Sequence, residues 1–185
     1  AAHSLNNATS EEKANDENIM NDENFQSKEG IYLNYEELLI EADNNNLITK
    51  EKPLLANAGR IKGNRIAIKN DLPTQKEKAC VLAEELGHFY TSTGNILDMS
   101  DTANRKQEQR ARLWAYNKQV GLSGIIDCYK AHCRTLHDMA EHLNVTEKFL
   151  KDAIDCYRYK YGVCTKVDNY VIGFEPTFYV LEMWE

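Results

Sequence analysis

The segment that most constrains the fold runs from Thr74 to His88, because it joins a helix start to a stretch that only a protein core can accept. Thr74 and Glu77 have the spacing of a capping box, in which each side chain bonds the backbone N–H of the other residue. The run 79–83, Ala-Cys-Val-Leu-Ala, is apolar on nearly every side of a helix. It predicts a helix that crosses the core, so the charged residues that follow must lie close to that core.

Those charged residues form a motif, Glu84-Glu85-Leu-Gly-His88, one residue away from the zinc-peptidase signature His-Glu-x-x-His. Residues four apart project from one helix face, so Glu84 and His88 could share one ion. Glu85 lies about 100° further round the helix, where it could reach a water beside that ion. Zinc also accepts carboxylate ligands. The spacing therefore predicts Glu84 and His88 as metal ligands and Glu85 as the general base.

Glu108 is the best candidate for a third ligand, since a catalytic zinc site usually takes three protein ligands and leaves one position open. It lies in a helix predicted over about 103–121, where Ala111 and Ala115 share its face and would allow close helix packing. Two carboxylates would neutralise a dication, which favours Mn²⁺ or another divalent ion as an alternative to Zn²⁺. Tyr90 and His137 are candidates for an oxyanion donor.

Gly87, inside the motif helix, indicates that another backbone passes close to it. Glycine costs about 1 kcal/mol relative to alanine in a helix interior, so its presence needs a reason. The edge of a β-hairpin predicted over 58–69, with Gly63-Asn64 as its turn, could supply that backbone.

The remaining pattern predicts a mainly helical α+β fold with a small antiparallel sheet. Helix-start signals stand at Asn34, Thr135 and Thr146, and residues 169–181 have the β-branched and aromatic content of strands. Residues 135–160 mimic a helix-turn-helix, but the mixed charge of the would-be reading helix favours a packing subdomain over DNA contact.

Composition divides the 185 residues into an acidic segment, 1–30, and one domain, 31–185. The segment carries seven acids against two lysines and few apolar residues, so it is predicted to be disordered. The net charge of −7 leaves no basic excess for nucleic acid, and no apolar run is long enough to cross a membrane. With no signal-peptide pattern and five loosely spaced cysteines, reduced thiols in a cytoplasm are expected.

From about Tyr32 onward the chain resembles the ImmA/IrrE family of metallopeptidases, particularly forms from phages and mobile elements of low-GC Gram-positive bacteria. The matching stretches are 63–68, 80–88, 105–116 and 139–146. The resemblance implies a zincin-like domain with Glu85 as base and His88 and Glu108 as ligands. Glu84 stands where the family has its other histidine ligand. Family members are thought to cleave helix-turn-helix repressors, which implies a repressor as the protein substrate.

Two plainer interpretations stand beside this one. Glu84, Glu85 and His88 could be an exposed helical charge cluster, and Glu108 an ordinary solvated residue among neighbouring arginines. In function, the alternative is a catalytically impaired relative that keeps the peptidase fold and regulates a partner protein by contact.

Overall fold

The computed structural model describes residues 32–91 and 101–184, and the predicted disorder of residues 1–30 lies outside these ranges. The described helices are α1 (Tyr35–Asn44), α2 (Gln75–Thr91), α3 (Asp101–Gln119), α4 (Gly121–Lys130), α5 (Leu136–His142) and α6 (Glu147–Tyr161). The described strands are β1 (Ile48–Lys52), β2 (Gly59–Lys62), β3 (Arg65–Lys69), β4 (Cys164–Val167), β5 (Tyr170–Gly173) and β6 (Tyr179–Glu182). The mainly helical α+β fold class is therefore confirmed.

Helices begin where the capping signals predict. Asn34 caps α1: its side chain accepts the Glu37 N–H at 3.0 Å, and the Glu37 carboxylate accepts the Asn34 N–H at 2.7 Å. At the start of α2 the Thr74 hydroxyl accepts the Glu77 N–H at 3.1 Å. Equivalent bonds are accepted by Thr135 at α5 and Thr146 at α6. Each cap satisfies a backbone N–H that has no partner within its helix.

The strands form two small sheets in place of the single antiparallel sheet that the sequence predicts. The predicted hairpin is confirmed as β2 and β3, which pair antiparallel, and β1 adds to β3 in parallel, giving the order β1-β3-β2. Strands β4, β5 and β6 form a separate antiparallel sheet. The sequence did not predict the parallel strand β1. Its residues, Ile-Thr-Lys-Glu-Lys, are exposed along most of the strand and show no alternation of apolar and polar side chains.

Helix α2 crosses the core as predicted. Its Leu82 and Leu86 side chains are fully buried, and the helix packs against α1, α3, β2 and β3. Residues of α5, α6 and β5 belong to the same apolar cluster, so the 135–160 helices pack against the rest of the domain. All five cysteines are free. Within the described ranges, no helix has both the length and the apolar character needed to cross a membrane.

Candidate metal centre

The site lies where α2 and α3 cross at backbone contact. A Cβ on Gly87 would stand 3.0 Å from the Ala111 carbonyl carbon and closer still to its oxygen, and both Ala111 and Ala115 are fully buried. The small residues of α3 thus allow the predicted close approach. The backbone beside Gly87 is that of α3, so the prediction that the hairpin edge fills this place is wrong.

This crossing brings His88 of α2 against Glu108 of α3. The His88 Nε2 atom lies 3.4 Å from one Glu108 oxygen, Oε2, and the Arg112 Nε–H donates to the other, Oε1, at 2.7 Å. The His88 and Glu108 side chains are 28% and 44% exposed, so the pair stands at the surface. Glu108 therefore contacts two cationic or potentially cationic side chains: His88 on α2 and Arg112, which lies one turn further along α3.

Glu84 stands one helical turn before His88 and is half-buried. It lines a cavity of about 400 Å³ together with Val81 and Asp152. Burial raises the pKa of its carboxyl group, Arg112 lowers that pKa, and Glu108 raises it. The Glu84 carboxylate is thus within electrostatic range of both Glu108 and Arg112 of α3.

Glu85 turns away from this surface and faces β2. Its side chain is 8% exposed, and a Cβ on Gly59 would lie 2.6 Å from its Oε1 atom. The Ile61 N–H of the same strand donates to the carboxylate. Burial, with repulsion from Glu84 as a smaller cause, raises the pKa of Glu85 to about 7. The predicted hairpin edge therefore does approach α2, at Glu85, where glycine leaves room for the carboxylate.

The donors fit a divalent cation in kind and, for one pair, in spacing. Two ligands at about 2.1 Å from a tetrahedral ion stand roughly 3.4 Å apart, and the His88–Glu108 contact has this length. Within the described residues, however, no group of three or more His, Cys, Asp or Glu side chains is placed to hold an ion. The assignments of Glu84, His88 and Glu108 as metal ligands and of Glu85 as general base remain predictions.

The oxyanion-donor candidates have other partners. The Tyr90 hydroxyl accepts a hydrogen bond from the Asn45 amide at 2.7 Å, and its ring stacks on Trp114. His137 pairs with Glu147 at 2.9 Å.

The sequence analysis placed Glu108 among neighbouring arginines but did not predict its ion pair with Arg112, although a spacing of four residues is a recognised signal for a helical ion pair. The sequence analysis also did not identify Gly59 and Ile61 as neighbours of Glu85. The reason is that a contact between a strand and a helix distant in sequence produces no periodic pattern of residues.

Comparison with known proteins identifies one relationship. A family model described as Peptidase_M78, IrrE N-terminal-like domain, matches residues 26–155, well over half of the chain and all of the candidate site. No curated protein and no solved structure matches the chain.

Proposed function

Because the chain belongs to the IrrE N-terminal-like peptidase family, we propose that it is a metal-dependent endopeptidase of ImmA/IrrE type. The proposed substrate is a protein, with helix-turn-helix transcriptional repressors as its class. One observation carries the proposal: Glu85 lies buried against the edge strand β2, on the helix whose His88 meets Glu108. The residue proposed as proton acceptor, the two residues proposed as metal donors and a strand edge thus lie near the same part of α2.

In this proposal His88 and Glu108 hold a divalent ion, with Glu84 as the third ligand. When bound, the ion supplies positive charge that polarises a peptide carbonyl. Zinc is the expected ion, and Mn²⁺ is the main competitor because two of the three donors are carboxylates. The surface position of His88 and Glu108 leaves the site open to a large protein substrate.

Glu85 is the proposed general base. It would take a proton from the attacking water and pass it to the departing amine, as a carboxylate near the scissile bond can. The Ile61 N–H and the space at Gly59 hold the carboxylate in one place. Because β2 is an edge strand of its sheet, an extended peptide could align along it through the backbone groups that Glu85 does not bind.

A second function, a protein-binding regulatory module without catalysis, is favoured by a different observation. Arg112 holds Glu108 in an ion pair, and no complete trio of metal donors is assembled within the described ranges. A relative that had lost its metal would keep the fold and the strand edge, and so could still bind a partner.

The test is to incubate the protein with Zn²⁺ or Mn²⁺ and a purified helix-turn-helix repressor from the same organism. A matched Glu85→Gln variant keeps the size of the side chain and removes the base. Wild type should cleave the repressor, and the variant should be slower by about a hundredfold or more. Equal cleavage by both would remove Glu85 as base.

Metal content separates the two functions. Wild-type protein titrated with either ion and then analysed for bound metal should retain about one equivalent, and His88→Ala should retain less. If wild type retains neither ion but still binds the repressor, the regulatory module is the correct function.

A further inference from the structure

The outer face of the β1-β3-β2 sheet concentrates positive charge. Among the described residues, five exposed cations and no acid line one depression of about 440 Å³ on this face: Lys50, Lys52, Arg60, Lys62 and Arg65. The chain as a whole has a net charge of −7, so its composition does not account for the cluster. We propose that this surface, which we call the basic sheet face, docks an acidic segment of the protein substrate. This rests on the proposed function, because it takes the partner to be the substrate of a peptidase.

The strand register places the cations in two rows. Side chains alternate between the faces of a sheet, and the isoleucines of β3 are buried, so Ala67 between them points outward. Ala67 is paired with Lys50 of β1 on one side and with Arg60 of β2 on the other. Neighbouring strands are about 4.8 Å apart, so the two rows are about 10 Å apart. The small Ala67 side chain leaves the space between them open.

These cations have no acidic partner within the described structure. Glu51 is the only acid in the three strands, and it pairs with Lys78 of α2 at 2.8 Å. Like charges at facing strand positions destabilise a sheet, so a negatively charged partner would relieve their repulsion. Charges on edge strands also prevent pairing with other chains. That purpose needs no single sign of charge, and it does not explain Arg65, which is on the central strand.

The two rows match an extended acidic segment. The side chains of an extended chain point alternately to its two sides, and those on one side repeat every 6.6 Å or so. Consecutive acidic residues lying over Ala67 would therefore reach the β1 row and the β2 row in turn. No aromatic side chain lines the depression, so the bases of a single-stranded nucleic acid would find no stacking surface there. Membership of a peptidase family also favours a protein partner.

Strand β2 links this surface to the proposed chemistry. Arg60 and Lys62 point outward from β2, whereas Gly59 and Ile61 of the same strand contact Glu85. Because β2 is an edge strand, a bound chain can pass round it from one face to the other. Docking on the outer face would raise the local concentration of the adjoining substrate residues near Glu85.

The first measurement is fluorescence anisotropy of a labelled peptide with a run of consecutive glutamates, titrated with the full chain without metal. Lys50→Gln/Arg60→Gln should bind about three- to thirtyfold more weakly, as expected for the loss of two exposed charge partners. Arg134→Gln/Lys151→Gln is the matched control, since it removes the same residue types from exposed positions on other elements. It should bind within about twofold of wild type. A peptide with glutamines in place of the glutamates should bind far more weakly than the glutamate peptide, and added salt should weaken the binding of the latter.

Kinetics provide a second readout. For a repressor that wild type cleaves and that carries an acidic segment, Lys50→Gln/Arg60→Gln should raise KM and leave kcat unchanged. This is the signature of lost binding that does not change between the ground state and the transition state. Thermal melting should show the same Tm for both double variants and wild type, because all four side chains are exposed.

The outcomes separate this inference from the proposed function. Equal peptide binding by wild type and Lys50→Gln/Arg60→Gln, or an unchanged KM with active enzyme, would overturn the docking surface and leave the peptidase standing. Displacement of the peptide by a tighter-binding DNA duplex of random sequence would assign the face to nucleic acid. Peptide binding that requires glutamine or asparagine in place of the acids of residues 1–30 would assign it to the chain's own N-terminal segment. Charge-dependent peptide binding without cleavage of any repressor would support the docking surface and overturn the proposed function.

Discussion

Gly87→Ala should push apart the two helices that carry the candidate site. The added Cβ would stand 3.0 Å from the Ala111 carbonyl carbon and nearer still to its oxygen. Those atoms are backbone, so no side-chain rotation can relieve the contact. Helix α3 would have to move relative to α2 by a sizeable fraction of an ångström, and Glu108 would move with it.

The magnitude follows from two opposing effects. Alanine is favoured over glycine inside a helix by about 1 kcal/mol. Forcing an extra carbon into a packed interior costs about 1–3 kcal/mol, and more where backbone must shift. With the cost at its upper end, the free energy of unfolding should fall by about 2 kcal/mol. For a domain of this size that lowers Tm by roughly 4–8 °C.

Urea unfolding followed by circular dichroism measures the effect, with an unchanged m-value expected because the unfolded chain is the same. Gly124→Ala in α4 is the matched control. There the nearest atoms belong to side chains, Leu143 Cδ2 at 3.0 Å and Tyr32 Cε1 at 3.4 Å, which can shift slightly, so the loss of stability should be clearly smaller than for Gly87→Ala. If Gly87→Ala were as stable as wild type, the backbone contact between α2 and α3 would be refuted.

Three further changes test other parts of the site and core. Glu84→His restores the usual zinc-peptidase pattern and should raise zinc affinity by about tenfold or more in calorimetry, since imidazole suits zinc well; unchanged affinity would show that position 84 does not face the ion. Gly59→Ala places a Cβ 2.6 Å from Glu85 Oε1 and should slow cleavage by about ten- to a hundredfold with metal affinity kept, whereas full activity would mean that Glu85 needs no space there. Gln119→Leu should increase the free energy of unfolding by about 1–2 kcal/mol and so raise the urea midpoint. The reason is that the Gln119 amide is 1% exposed and its nitrogen and oxygen have no hydrogen-bond partner within the described structure. A lower urea midpoint would show that the amide has a partner after all.

The fold was predictable where the sequence carries local signals. Capping pairs such as Asn34–Glu37 and Thr135–Asp138 fix helix starts through bonds between near neighbours, so they can be identified before any tertiary contact is known. Helix α4 has no such signal: its N-cap, Val120, makes no side-chain bond, and Gly121 has a positive φ of 60°. That helix forms because Ile125 and its neighbours are buried, which is a tertiary effect.

Only those features of the candidate site that follow from residue spacing along a helix could be predicted from the sequence. The small residues beside Glu108 correctly indicated that α2 and α3 approach closely. Whether position 84 binds a metal stays a prediction. The pairing of Glu108 with Arg112 and the contact of Glu85 with β2 depend on side-chain rotamers and on strand placement, and no periodicity encodes either.

The charge at the site links metal affinity to catalytic power. A His-His-Glu ligand set leaves one positive charge on a bound dication, whereas the Glu84-His88-Glu108 set would leave none, so a carbonyl would be polarised less. Arg112 pairs with Glu108 and is within electrostatic range of Glu84, so its charge would offset part of what the second carboxylate removes. Arg112→Met should therefore bind metal more tightly and yet cleave the repressor more slowly, by about tenfold at saturating metal, as for loss of one nearby positive charge. Single-turnover cleavage at saturating metal measures the rate of cleavage separately from metal affinity. Faster cleavage by Arg112→Met would show that the charge of Arg112 does not assist the reaction.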